Sequence, residues 1–278
     1  MKLENSNILL AVVLYKLKIS ESTTINSLIL IKEYLNNINT KVVIWDNSPN
    51  TQSLKELEIL KNFSDFEYKH TPENVSLAKI YNSIYRNNSQ YGSLVLFDHD
   101  SEVDEGFFLK LKFAQNENKN INLFLPIVKA GNLIFSPANR FLVTGRHWEN
   151  ETHGIIKSLN KLAITSGMAI RMNYLLDKHP CFNEDLDLYG VDTDFMIQYE
   201  KNNEYFFVLD YVMKHDLSVF TEDSKEMKLL RFRNHKKAII KIFKKETLLK
   251  FWLAQMFIMF SSIKQSIKYQ SIKFLKND

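Results

Sequence analysis

The sequence predicts an α/β fold: a mostly parallel sheet flanked by helices, followed by a helical C-terminal appendage. Three observations carry this. Apolar runs of strand length alternate with amphipathic helical stretches over the first hundred residues. Three of those runs end in polar clusters, as strands of a parallel sheet do where a ligand lies beyond their carboxyl ends. The formal charge of +4 over 278 residues is unevenly divided. From Lys225 to Asp278, 14 Lys and Arg face 3 Asp and Glu, a net of +11, which leaves −7 for residues 1–224. Two parts are expected, an α/β domain over 1–224 and a basic amphipathic helical region over 225–278.

Taken in order, "NILLAVVLY" (7–15) reads as a strand buried on both faces, and "STTINSLILIKEYLNN" (22–37) as a helix capped by Ser22 or Thr23. "KVVIWDNS" (41–48) is a second strand, "LKELEILKNF" (54–63) a helix and "FEYKHT" (66–71) a short strand. "SLAKIYNSIYRN" (76–87) carries Leu77, Ile80, Tyr81 and Ile84 at helical spacing, and "SLVLF" (93–97) is a fourth buried strand. Four strands joined by three helices require crossovers that return each strand in the same direction. Asp46-Asn47-Ser48, His70-Thr71 and Asp98-His99-Asp100 should therefore converge on one crevice. Further along, "TGRHWENETHG" (144–154) reads as a loop, "TDFMIQYEK" (193–201) as a helix, and "YFFVLDYVM" (205–213) as another apolar segment.

Asp98, Asp100, Glu102, Asp104 and Glu105 crowd into eight residues. Five carboxylates so close repel one another unless they are solvated, as in an acidic surface loop, or a cation sits among them. With 45% hydrophobic and 13% aromatic residues the chain fills a sizeable core. Its single cysteine, Cys181, excludes an intramolecular disulfide, and "MKLENSNILL" lacks a signal-peptide pattern. A reducing, cytoplasmic setting is expected.

The basic region holds an apolar stretch from Phe251 to Phe260, short of the roughly 20 residues a bilayer crossing needs. Lys244, Lys245 and Lys250 precede it, and Lys264, Lys268, Lys273 and Lys276 follow. This describes a segment lying on an anionic membrane surface. A hairpin packed on the domain and a homodimer contact are the alternatives. Nucleic acid is disfavoured, because the acidic domain would repel phosphates.

Seven segments in order, "VVLY", "DNS", "ENVSLAKIYN", "LFDHDS", "TSGMAIR", "FNEDLDLYGVDTDF" and "KHDLSVF" followed by "RFRN", resemble the motifs of family-two glycosyltransferases of the GT-A fold. Among these the chain is most similar to the bacterial rhamnosyltransferase-like group, over roughly residues 7 to 235. Val75 or Ser76 stands where the family usually has glycine, Val191 replaces the Glu of a common Glu-Asp pair, and Gln198 sits where arginine is frequent.

The resemblance implies an inverting, metal-dependent transfer of a sugar from a nucleoside-diphosphate donor, dTDP-rhamnose or a UDP-hexose. The implied acceptor is a glycan or lipid-linked glycan of bacterial surface polysaccharide synthesis. Asp98 and Asp100 would hold Mn2+ or Mg2+ against the donor's diphosphate, and His215 would complete that site, its neutral imidazole suiting manganese better than magnesium. Tyr15, Asp46, Asn74, Asn82 and Asp98 would bind the nucleotide, Asp46 by accepting from the base edge. Asp192 would take the proton of the acceptor hydroxyl, with Asp194 and Asp187 as alternatives. Ser166, Gly167, Asp194 and Trp148 would line the acceptor side, Trp148 by stacking on a sugar ring unless it is simply core.

Three other classes compete. A haloacid-dehalogenase-like phosphatase also places Asp-x-Asp after a buried strand, but after the first strand of its sheet. A sugar nucleotidylyltransferase would carry a Gly- and Arg-rich loop where this chain has "VVLYKLKISES". The third is a catalytically inactive carbohydrate-binding or membrane-scaffold protein.

Overall fold

The first four apolar runs form the parallel half of one sheet. In the computed structural model, which describes residues 7–142, 144–214 and 224–276, β1 (Ile8–Leu14) lies between β2 (Thr40–Asp46) and β4 (Ser93–Phe97). β3 (Phe66–His70) pairs with β2, and all three pairings are parallel. The crossovers are α1 (Thr23–Leu30) with α2 (Lys32–Asn37), α3 (Leu54–Ile59) and α4 (Leu77–Asn87). The expected helix over 22–37 is broken at Ile31, whose φ of −109° ends α1. The expected helix over 54–63 is α-helical to Ile59 and closes in a 3-10 turn.

Beyond α5 (Glu105–Glu117) the sheet becomes mixed. β5 (Leu123–Ala130) is followed by β6 (Leu133–Phe141), β7 (Thr144–Trp148), β8 (Gly154–Lys157) and β9 (Lys161–Leu162), of which β7 and β9 pair with β6 and β8 pairs antiparallel with the last strand of the sheet. β10 (Met168–Arg171) inserts antiparallel between β4 and β5. After α6 (Met172–Asp177) and α7 (Val191–Asn202), β11 (Tyr205–Lys214) pairs parallel to β5. The main path runs β3-β2-β1-β4-β10-β5-β11-β8, with β6, β7 and β9 branching from β5. Segment 144–154, read above as a loop, therefore opens with a strand, paired antiparallel to β6.

Strand residues alternate between two apolar layers, as the pleat requires. Leu9, Ala11, Leu94 and Leu96 face α4, α6 and α7, while Leu10, Val12, Val95 and Phe97 face α1 and α5. Both faces are covered, so the strands read as unbroken apolar runs.

The basic region folds as a hairpin, α8 (Lys225–Phe243) and α9 (Leu248–Lys268). α8 places Ala238, Ile242 and Phe243 in the first of the two layers, and α9 adds Ala254. Gly190, with φ +81°, permits this approach: a Cβ there would stand 3.0 Å from Ala238 Cβ and 3.0 Å from Ile242 Cδ1. Lys245 Nζ lies 2.8 Å from Asp185 Oδ2, and Lys201 bonds Glu246 between the two helices. Truncation after residue 221 removes several fully buried side chains, each worth ~2 kcal/mol, and bares the layer beneath. We expect the truncated chain to aggregate, which light scattering after expression would record; a monodisperse, nucleotide-binding fragment would show the hairpin to be dispensable.

Candidate active site

The carboxyl ends of β1, β2 and β4 open on a cavity of about 480 Å3 whose wall includes Tyr15, Asn47, Asn74, Asp98, Asp100 and Arg231. The acidic turn after β4 is clamped from the first turn of α1. Ser22 Oγ donates to the His99 carbonyl at 2.7 Å, and Ser101 N donates to Thr24 Oγ1 at 2.8 Å. Ser166 Oγ donates to Asp98 Oδ2, fixing that carboxylate from the β10 side. The two aspartates thus stand on a braced turn beneath the crevice rather than on a solvated loop.

Asn47 organises the opposite wall. Its side chain accepts from Thr71 Oγ1 at 2.8 Å and from Val75 N at 2.9 Å, and donates to Asn74 Oδ1 and the Val75 carbonyl. It holds the 71–76 loop, with Asn74 at φ +50°, against the end of β2. Asp46, expected at the nucleotide, is fully buried and does not line the cavity. Its carboxylate accepts from Tyr68 OH and Gln52 Nε2, each at 2.9 Å, and from Ser48 N at 3.1 Å, so it braces the turn after β2. Asn82, also expected at the nucleotide, lines neither that cavity nor the one that adjoins it. It is buried in α4, donates to the Phe182 carbonyl at 2.8 Å and to Glu184 Oε1 at 2.9 Å, and accepts from Phe182 N at 3.1 Å, tying α4 to the 182–184 segment.

A second cavity, of about 450 Å3, adjoins the first across Leu77 and Leu188, which line both. Asp192, in the first turn of α7, lines it with Thr165, Thr193, His147 and His235. Asp192 Oδ1 accepts from Thr193 N at 2.6 Å. Burial first, and then the charge of Asp98, push the Asp192 carboxyl up from its ordinary 3.8 to about 6. Buried Tyr81 feels the same two carboxylates, which with its burial raise its phenol well above the usual range. The two acidic groups therefore share one electrostatic environment although they face different cavities.

The residues expected on the acceptor side stand elsewhere. Asp194 is buried and lines neither cavity; burial raises its carboxyl while Gln198, Lys245 and Lys201 oppose the shift. Gly167, at φ +76°, is a packing position, since a Cβ there would lie 2.6 Å from Pro126 Cγ and 2.8 Å from Met213 Cε. Trp148 is on β7, where its Nε1 donates to Asn139 Oδ1 at 3.3 Å, and lines a separate depression that shares His147 with the Asp192 cavity. Ser166 also lines neither cavity and donates to Asp98 Oδ2. His215 lies outside the described residues.

Arg231 and His235 come from α8, in the region expected to be a separate appendage. Arg231 brings positive charge to the cavity that Asp98 and Asp100 line, and His235 packs against Tyr189 at 4.4 Å between ring centres with the rings tilted by 52°. "RFRN" was the available signal for Arg231; His235 had none.

Among the described residues, no group of three or more His, Cys, Asp or Glu side chains is placed to hold a metal. Asp98 and Asp100 nevertheless offer hard oxygen donors at one cavity, which fits a divalent cation of the kind bound by one or two carboxylates and completed by substrate phosphates and water.

No family model matches the chain, and no curated protein matches it. Solved structures do. TarS 1–349 of S. aureus superposes with a TM-score of 0.57 at 16% identity, over 86% of this chain and 72% of that one. The chain has the GT-A fold. Mannosyltransferase PcManGT from Pyrobaculum calidifontis, solved with GDP-Man and Mn2+, gives 0.57 at 11% identity over 86% of this chain and 65% of that one. GalNAc-T7, solved with UDP, GalNAc and Mn2+, gives 0.60 at 9%, over 86% of this chain and about half of its own, 48%. In this GT-A chain the crevice at the strand ends and the cavity at the start of α7 adjoin, and α8 contributes to the wall of both.

Proposed function

We propose that the chain is an inverting glycosyltransferase that moves a sugar from a nucleoside-diphosphate donor to a lipid-linked glycan. The observation that carries this is the pairing of adjoining cavities, one with three carboxylates, Asp98, Asp100 and Asp187, and an arginine, the other with a single carboxylate raised to about 6. The first suits a nucleoside diphosphate: Tyr15 gives an aromatic face, Asn47 and Asn74 give polar edges, and Arg231 gives a cation for phosphate oxygens. Asp98 and Asp100 would hold the divalent cation, which when bound supplies charge neutralisation to the departing diphosphate. Asp192 takes the proton of the acceptor hydroxyl as that oxygen bonds to the anomeric carbon and the anomeric carbon–diphosphate bond breaks.

The solved neighbours carry UDP-GlcNAc, in a further TarS complex, and GDP-Man with Mn2+. Those contents support a nucleotide-sugar donor, and UDP-hexoses and dTDP-rhamnose are our candidates. Support for a lipid-linked acceptor comes from the Asp192 cavity, whose polar groups stand beside apolar walls formed by Phe135, Leu162, Ile239, Ile242 and Phe243. A thermal-shift panel of nucleoside diphosphates with and without Mn2+ tests the reading. We expect one base to raise the melting temperature by several degrees only with the metal, and its sugar conjugate to be turned over. Indifference to the whole panel, with phosphate released from a phosphomonoester or diphosphate from a nucleoside triphosphate, would overturn it.

A further inference from the structure

α9 has two apolar faces where a helix packed on one neighbour needs one. Its inward face is narrow: Ala254, Ile258 and Ser262, four residues apart, are buried against the rest of the fold. On the other side Leu249, Trp252, Met256, Phe260, Ile263 and Ile267 recur at steps of three and four, which puts them on a single stripe along the helix. Their side chains are between 43% and 74% exposed. Six large apolar side chains in one solvent-facing line are far more than isolated surface residues and mark a surface that something covers.

The charges select what covers it. Lys250, Lys264 and Lys268 each follow a stripe residue by one position, so they form a row along one flank, and all three are exposed. Lys273, one residue after exposed Ile272, extends the arrangement past the helix end. With 225–278 carrying a net charge of +11, two copies of this face brought together would repel, which disfavours a homodimer through it. An anionic lipid surface complements both the stripe and the row. Among the described residues no helix is long and apolar enough to cross a membrane, so the contact is one of lying along the interface.

We propose that the outward face of α9 docks on an anionic bilayer, with the stripe in the headgroup–acyl boundary and the lysines among lipid phosphates. The same hairpin forms the apolar side of the Asp192 cavity through Ile239, Ile242 and Phe243 of α8. Docking holds that cavity beside the bilayer, where an amphiphilic acceptor is concentrated. The inference does not depend on the reading of the nucleotide site.

Sedimentation of the full-length chain with vesicles of phosphatidylglycerol and phosphatidylcholine, and with phosphatidylcholine alone, tests it at low and high salt. We expect binding to the anionic vesicles that falls at least ten-fold in high salt. The double variant W252S/F260S and the double variant K264E/K273E should each lower it ten-fold or more. Because these side chains point to solvent, melting temperature and nucleotide binding should stay unchanged, which separates lost docking from lost folding. Failure to bind anionic vesicles at low salt, or binding indifferent to both variants, overturns the proposal. So does a dimer, seen by light scattering, that W252S/F260S dissolves, since that would make a second copy the occupant.

Discussion

We expect Asp192→Asn to keep donor affinity and to lose turnover by ~1000-fold or more, because on the proposed mechanism an amide cannot take the acceptor's proton. Titration calorimetry with nucleoside diphosphate and Mn2+ reads the first quantity, and steady-state transfer reads the second. Asp194→Asn, altering a buried group that lines neither cavity, should leave the chemistry in place and act on stability. Loss of turnover in Asp194→Asn but not in Asp192→Asn would reverse the assignment.

The raised Asp192 carboxyl adds a pH dependence whose sign is fixed. A base works only when deprotonated, so kcat/KM should fall as pH drops through about 6. Stability runs the other way. A carboxyl that binds its proton more tightly folded than unfolded destabilises the fold wherever it is charged. The cost is full above pH 6 and vanishes below about 3.8, the ordinary value. Asp192→Asn should therefore be more stable than the wild type at pH 8, by at most ~3 kcal/mol, and equal to it near pH 3.5. Urea denaturation at both pH values measures the difference.

The parallel half of the sheet was legible because strands covered on both faces must be apolar throughout, as Leu9 to Val12 and Leu94 to Phe97 are. The stretch over 123–162 was not. β7, β8 and β9 are short and have no buried residue, and Pro126 and Pro137 interrupt the pattern of β5 and β6, so their pairing depends on partners distant in sequence. Within the site, the sequence indicates the strand end but not which neighbour faces the crevice. Adjacent strand residues point to opposite sides, and here Asn47 takes the cavity while Asp46 takes the core. A helix imposes a similar choice. Asp192 and Asp194, two apart, cannot share a face, and only Asp192 lines the cavity. The role of α8 as a wall was hidden for a different reason: a basic charge balance describes a segment's exposed side and is silent about Ala238, Ile242 and Phe243 on the other.

Asp98→Asn and Asp100→Asn should each abolish metal-dependent nucleotide binding while the melting temperature without ligand stays near the wild-type value. Both side chains are partly exposed to the cavity, and the turn that carries them is held mainly through backbone groups, by Ser22 and Thr24, so neither amide unravels it. What the substitution removes is negative charge facing the cavity proposed to take the diphosphate. A carboxylate pair repels a bare diphosphate and attracts it only when a divalent cation lies between them. The two variants should consequently lose the manganese-dependent part of the affinity, ~100-fold or more, and keep the weak metal-independent part, or even gain slightly as repulsion falls. Asp98→Asn should have the larger effect on catalysis, because the charge of Asp98 is also one of the causes that raise Asp192. Its loss moves the base's pKa down and shifts the acid limb of the pH–rate profile with it, an outcome Asp100→Asn should not share to the same degree. Calorimetry with and without Mn2+ decides the first point, and wild-type affinity in either variant would remove the metal from that turn.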